Sequence, residues 1–280
     1  GTIVRLGTDV IILTVGALSG RMAGAALAGL AVGSGVVAEA VYTGLRVRPV
    51  VRDELRPAPV VSPPLNLRMF IDFYVPLALT SVLNLLIQPL GSASLSRMPD
   101  ALVSLALWPV VSGFIFILRS PGIAYNEVVV ALLEDEESWR KLRRLALWLA
   151  AVVTALLMLV SATPVGRLWF QTISGLTPEL AETAQRAVWF ALPLPALNVV
   201  VSFLQGVLVN NRRTRGITES MAVFLFAAVL LLIAGIVLQQ WRGLYMGWVA
   251  FSVGMLLQTL WLWHRARQVR ASQSDTGTRK

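Results

Sequence analysis

Polar side chains recur at helical spacing inside apolar stretches of this sequence, and these are the residues whose types could do chemistry. The third apolar stretch carries such a stripe, formed by Thr80, Ser81, Asn84 and Gln88. Pro76 and Pro89 bracket the stripe and are candidate hinges. A polar stripe on an apolar helix either bonds to a neighbouring helix or lines a polar cavity, and both interpretations stay open.

The fourth apolar stretch contains a short run that predicts a break in its helix. From Ala101 to Leu133 it would measure about 50 Å as one helix, which exceeds a hydrocarbon core of about 30 Å. The run is Arg119 to Gly122, in which Ser120 could be the N-cap of a new helix and Pro121 could occupy its first turn. The free amides of a half-helix beginning there, beside Arg119, would bind an anion. The alternative is that Arg119 lies at the membrane interface.

Other groups that could hold an ion or take part in catalysis are scarce. Glu127 follows Arg119 by eight residues and is interpreted either as an ion-coupling carboxylate or as the ion-pair partner of that arginine. The chain has no cysteine and one histidine, His264, so we expect no metal site and no cofactor. GxSxG, HExxH and phosphate-loop motifs are missing from the sequence, which disfavours an enzyme.

The sixth apolar stretch combines a bend with a second polar stripe. Pro193 and Pro195 predict a kink, because proline cannot donate to the helical ladder. Asn198, Ser202 and Gln205 continue beyond the kink on one side of the helix. We expect Asn198 and Gln205 to face Asn84, Gln88 and Arg119 across a substrate pathway. Glu127 is expected on the same pathway.

Apolar helices of spanning length must position these groups. Of 280 residues 56% are hydrophobic and 14% are charged, against about 25% charged in an ordinary soluble domain. Eight apolar stretches can be drawn, at Ile3 to Ser19, Met22 to Leu45, Met69 to Leu95, Ala101 to Leu133, Trp139 to Ala162, Leu180 to Val209, Ile217 to Leu238 and Tyr245 to Trp263. They lack the short alternation of a barrel strand, so the sequence predicts an all-α membrane protein with about eight transmembrane helices.

The basic residues favour a membrane topology over nucleic-acid binding, despite a net charge of +9. They punctuate the apolar stretches instead of gathering on one polar face. Alternate loops hold 17 of the 24 Lys and Arg residues, at positions 46, 48, 52, 56, 68, 140, 141, 143, 144, 212, 213, 215, 265, 267, 270, 279 and 280. Because cytoplasmic loops retain Lys and Arg, we expect an inner (plasma) membrane protein with a cytoplasmic C-terminus.

A proline-rich stretch divides the chain. Residues 47–67 carry five prolines among charges and predict a cytoplasmic linker. The last two helices weakly resemble the first two at an offset of 219 residues, with Gly35 opposite Gly254 and Arg46 opposite Arg265. We therefore expect residues 1–46 to end an N-terminal lobe, 68–267 to form a six-helix lobe and 268–280 to be a disordered cytoplasmic tail. If helices one and two end a six-helix lobe, about four helices are expected upstream, and Gly rather than Met at residue 1 agrees with this.

Three short runs carry a resemblance to a known family. They are Val75 to Ser81, Arg119 to Gly122 with Asn126, and Phe203 to Val207 followed by Thr214 and Arg215. These runs resemble the MATE-like (multidrug and toxic compound extrusion) transporters of the MOP flippase superfamily, especially the progressive-ankylosis (ANK) branch. The resemblance implies helices 5–12 of a twelve-helix fold, whose two lobes rock around a central cavity. The sequence departs from the drug exporters by having Asn210 and Asn211 where those proteins commonly have a small glycine-containing turn.

The resemblance also sets the functional expectation. It implies a secondary active exporter working by alternating access, with a small-molecule solute as partner and H⁺ or Na⁺ as coupling ion. The ANK branch is associated with polyanions such as pyrophosphate, nucleotides or citrate, so small organic or phosphate-type anions are the expected solutes. Two alternatives stay open, a flippase for lipid-linked substrates and a membrane scaffold that transports nothing. No nucleic-acid partner is expected.

Overall fold

The computed structural model describes residues 1–20, 22–57, 66–211 and 214–277, and this part of the chain is helical without strands. The α-helices are α1 Thr2–Ser19, α2 Gly24–Val50, α3 Leu67–Leu95, α4 Ala101–Leu132, α5 Glu136–Ala162, α6 Pro164–Leu168, α7 Pro178–Phe190, α8 Pro193–Asn210, α9 Arg215–Leu238 and α10 Gly243–Gly277. Two π-helical turns, Val51–Leu55 and Trp169–Ile173, follow α2 and α6.

The protein is an all-α membrane protein. Within the described residues, seven stretches are long and apolar enough to cross a bilayer, at Thr2–Ser19, Ala26–Leu55, Ala101–Leu132, Glu136–Ala162, Pro193–Asn210, Arg215–Leu238 and Gly243–Gln268. The third stretch forms α3 without interruption at Pro76 or Pro89, and the role of these prolines as hinges stays a prediction. Its apolar part Val82–Leu95 has described side chains, whereas those of Pro76, Thr80 and Ser81 lie outside the described set.

The chain divides into two compact units, and the first, Gly1–Asn66, is an antiparallel pair of helices. Gly16 on α1 approaches Leu27 on α2, where an added Cβ would overlap the leucine side chain. Farther along the pair, Arg5 Nη1 lies 3.9 Å from Glu39 Oε2. Because both side chains of this ion pair are partly exposed, close packing of small residues contributes more to the pairing than the charges do.

The second unit, Leu67–Lys280, is built around α8, which packs against α4, α5 and α10. Two glycines allow the approach of α4 to α8. A Cβ added to Gly122 would lie 2.7 Å from Asn198 Oδ1, and one added to Gly206 would lie 2.7 Å from Val129 Cβ. Real Cβ atoms do not approach other atoms so closely, so the separation of these two helices depends on both glycines.

The sixth apolar stretch, expected as one kinked helix over Leu180 to Val209, is two helices. α7 ends at Phe190, and α8 begins with Pro193 in its first turn. The Leu192 amide donates to the Trp189 carbonyl at 3.3 Å, a tight three-residue bond that closes α7. Pro193 has no N–H to continue the ladder, so the chain turns here and α8 alone is long enough to span.

Two expected irregular segments are partly helical. The linker expected over residues 47–67 is helical as far as Leu55, because α2 runs through Pro49 into the π-helical turn. Pro49 lies in the last turn of α2, where it removes one backbone donor without ending the helix. The tail expected to be disordered over 268–280 continues α10 to Gly277. Residues 58–65 and 278–280 of these two segments lie outside the described residues.

Asp135 caps the N-terminus of α5, outside the membrane-spanning segments. Its Oδ1 accepts a 2.7 Å hydrogen bond from the Ser138 amide, and this bond is the main reason why the pKa of the carboxyl is lowered. Because the pKa is lower in the folded state than in the unfolded state, the ionised cap stabilises the fold at pH values above the unfolded pKa. This stabilisation is lost as the pH falls through the folded pKa.

We expect Asp135→Ala to fray the first turn of α5, so that the Ser138 amide exchanges faster with solvent at neutral pH. In the wild type the same amide should lose protection only in acid. Hydrogen exchange read by mass spectrometry measures both, and unchanged protection in Asp135→Ala would contradict the capping role.

Candidate functional site

A cavity of about 690 Å³ lies in the second unit among α3, α4, α8, α9 and α10. All six residues that the sequence analysis placed on a substrate pathway line it, namely Asn84, Gln88, Arg119, Glu127, Asn198 and Gln205. They come from three helices, α3, α4 and α8, and the first and last of them are more than a hundred residues apart in the sequence. The polar stripes therefore converge on one cavity, whose volume is in the range of small-molecule sites.

Arg119 lies near the middle of α4. It precedes the helix end at Leu132 by 13 residues, which is about 20 Å of helix. With the Asn198 amide oriented to satisfy both its ends, its oxygen accepts from Arg119 Nη2 at 3.3 Å and its nitrogen donates to the Arg119 carbonyl at 3.0 Å. Arg119 Nε is buried without a hydrogen-bond partner. In the described part of the chain this guanidinium has no ion pair.

The break predicted at Ser120 is wrong, because α4 passes through Pro121 and Gly122 as one helix. The Ser120 hydroxyl donates at 2.8 Å to the Ile117 carbonyl. That carbonyl is the acceptor which the missing N–H of Pro121 would have used, so the hydroxyl replaces the lost bond. No half-helix begins here, and the amides that were expected beside Arg119 are occupied within α4.

Glu127 also lines the cavity, about 12 Å along α4 from Arg119 in the direction of the helix end. Its side chain is exposed and forms no ion pair with Arg119, so the interpretation as an ion-pair partner is wrong. A role in ion coupling stays a prediction.

On α3, Gln88 and Asn84 border the cavity one turn apart. Gln88 Oε1 accepts a 3.1 Å hydrogen bond from the Trp108 indole of α4. This bond leaves the Gln88 amide nitrogen free to donate. The two side chains thus form a polar edge on the α3 side of the cavity.

On α8, Asn198 and Gln205 are two turns apart and contribute to the opposite wall. Between them, the Ser202 carbonyl accepts a 3.0 Å hydrogen bond from Asn126 Nδ2 on α4. Pro195 is buried in the first turn of α8, beside the chain turn at Pro193. The bend therefore lies at one end of the polar stripe, as the sequence placed it.

Three buried donors on cavity-lining residues have no partner. Among the described residues five buried side-chain atoms lack a hydrogen bond, and three of them are Ser112 Oγ, Arg119 Nε and Trp248 Nε1. A buried donor left without a hydrogen bond lowers the stability of the fold by about 1 to 3 kcal/mol. Each of the three can donate, and each belongs to a residue that lines the cavity.

Sequence reasoning missed Ser112, Trp248 and Gln258 as lining residues. Ser112 stands two helical turns before Arg119 on the same face of α4, which the spacing could have revealed. Gln258 is a polar residue in the middle of an apolar stretch, an equally readable signal. Trp248 gives no such signal in the sequence, yet it is 3% exposed and stacks on Trp108 with 4.6 Å between ring centroids.

In the part of the chain that the structure describes, no three His, Asp or Glu side chains converge as metal ligands do. Comparison of the chain with protein-family models, curated proteins and solved structures finds no match.

Proposed function

We propose that the protein is a secondary active transporter of anionic solutes and that Arg119 binds the anion. One observation carries the proposal, the guanidinium of Arg119 in a cavity without a carboxylate partner. Placing a charge at the centre of a spanning helix is unfavourable by at least about 2.5 kcal/mol. An arginine at this position without a protein counter-ion is best explained by a substrate anion that binds and is released during transport.

The lining residues distinguish this proposal from the two alternatives. A scaffold should satisfy its polar stripes internally, whereas Ser112, Arg119 and Trp248 have unpartnered donors. A flippase for lipid-linked polyanions should have several cavity-facing arginines, whereas Arg119 is the one basic residue among the described lining residues. The residue resemblance to MATE-like transporters is the basis for proposing export by alternating access, coupled to H⁺ or Na⁺.

Transport can be measured in inside-out membrane vesicles from cells that carry the natural gene. We expect them to accumulate labelled organic anions down an imposed H⁺ or Na⁺ gradient. Vesicles carrying Arg119→Gln at equal protein level should not. Equal accumulation by both would overturn the assignment of Arg119.

We propose in addition that the protein lies in the inner (plasma) membrane with its C-terminus in the cytoplasm. The cavity lining reaches Val209 and Ile217, which flank the connection between α8 and α9. That end of the second unit carries the basic residues of α5, α9 and α10. The cavity would then face the cytoplasm in this conformation.

Single cysteines test this orientation, because the chain has none of its own. We expect Gln268→Cys, on an exposed position of α10, to react with a membrane-impermeant maleimide only after cells are opened. Ser96→Cys, exposed between α3 and α4, is the matched position at the opposite end and should react in intact cells. The reverse pattern would overturn the orientation.

A further inference from the structure

The charge of the cavity limits the anions that it can accept. Arg119 and Glu127 are the charged residues among its described lining, so the wall has no net charge. One guanidinium can neutralise one negative group, and each additional negative group must be desolvated without a cationic partner. Glu127 would repel it as well.

The remaining lining combines uncharged amides and hydroxyls with apolar side chains, and it is aromatic at one end, where Trp248 and Phe251 line it. On α4 the lining face runs from Ser112 through Arg119 to Glu127, and Trp108 lies one turn before Ser112. Trp108 stacks with Trp248, and Phe251 packs edge-on against Trp108 at 5.2 Å between ring centroids. Arg119 is therefore placed between an aromatic end and the carboxylate of Glu127.

A hydrophilic polyanion does not match this arrangement. It would leave the aromatic end unfilled and would bring surplus negative charge towards Glu127. At a separation of about 12 Å in a protein of effective dielectric constant about 20, repulsion between two unit charges changes affinity by about tenfold. A single anionic group on an apolar body fits the guanidinium and the aromatic end together.

We propose that the cavity selects monoanionic organic solutes with an apolar or aromatic body, and that Glu127 is the residue that rejects additional negative charge. This inference rests on the proposed function, since it assumes that Arg119 binds an anion. It departs from the polyanions that the family resemblance implies. Glu127 acts here on the choice of ligand and does not contact its anionic group.

Two series of acids test separately the size of the ligand's apolar part and the number of its negative charges. Acetate, benzoate and 2-naphthoate keep one charge while the body grows, and affinity should rise by about tenfold or more from the first to the last. Benzoate, benzene-1,3-dicarboxylate and benzene-1,3,5-tricarboxylate keep one ring while charge grows, and affinity should fall by about tenfold at each step. Titration calorimetry on the 280-residue chain in lipid nanodiscs measures both series, with empty nanodiscs subtracted.

Glu127→Gln gives the decisive comparison. We expect it to reduce the ratio of benzoate to tricarboxylate affinity by about tenfold or more, with the order of the body series unchanged. A wild-type protein that binds the tricarboxylate as tightly as benzoate, with binding lost in Arg119→Gln, would overturn the monoanion inference and leave the anion site standing. A steep charge series that Glu127→Gln does not alter would overturn the role of Glu127. If no acid binds in a way that depends on Arg119, the proposed function itself fails.

Discussion

Replacement of Arg119 by Gln is expected to weaken the binding of an organic anion such as benzoate by roughly 10- to 100-fold. Hydrogen bonds to charged groups contribute about 1.5 to 3 kcal/mol each, and Gln removes the charge while keeping a shorter, uncharged polar side chain. Arg119→Lys should retain part of the affinity, because an ammonium keeps the charge but loses the planar fork. Calorimetry on the purified chain measures all three affinities.

A matched control and a second variant separate a binding effect from a folding effect. Arg186→Gln removes a cation that is exposed on α7 and paired with Glu182, so it should bind anions normally. Asn198→Asp keeps the shape of the residue that contacts Arg119 Nη2 but offers it a carboxylate. We expect an internal ion pair that occupies the guanidinium and lowers anion affinity as much as Arg119→Gln does. Normal affinity in Asn198→Asp would contradict the proposed site.

Gly206→Ala is expected to lower thermal stability by several degrees and to disturb the cavity. The new Cβ would lie 2.7 Å from Val129 Cβ and 3.2 Å from the Asn126 carbonyl, so α4 and α8 must separate. Overpacking of this kind destabilises by about 1 to 3 kcal/mol. Since both walls of the cavity shift, anion affinity should fall as well.

Gly113→Ala is the control for this prediction. Gly113 is also inside a helix of the same unit, but a Cβ added there meets no atom within 4 Å. Its replacement should leave stability unchanged or raise it by up to about 1 kcal/mol, since alanine is the better helix former. The two variants are heated over a range of temperatures, and size-exclusion chromatography then measures how much folded protein remains. Equal stability in both would contradict the close approach of α4 and α8.

The helical class, the polar stripes of the cavity and the bend at Pro193 could be read from the sequence, and the continuity of α4 through Pro121 could not. Asn84 and Gln88, or Asn198 and Gln205, are joined by helical spacing, which fixes a shared face whatever surrounds it. Ser120 followed by Pro121 is ambiguous locally, because a serine hydroxyl can cap a new helix or bond back to the preceding turn.

Tertiary contacts decide between such local choices. Gly122 has to approach Asn198 and Val199 on α8, and only the continuous helix presents it there. Nothing in the neighbouring sequence of Gly122 encodes that contact. Trp248 was missed for a related reason, since a tryptophan near a span end is usually an interface anchor, and its stacking on Trp108 depends on the packing of α4 against α10.

The central claim is that an anion occupies the unpartnered side of the Arg119 guanidinium. The ¹⁵N–¹H resonance of Arg119 Nε, assigned by its loss from Arg119→Lys, reports on that atom directly. On titration of the labelled chain in nanodiscs with benzoate, the account predicts a saturable downfield proton shift, as the buried Nε–H gains an acceptor. A resonance that stays in place at saturating benzoate would contradict it.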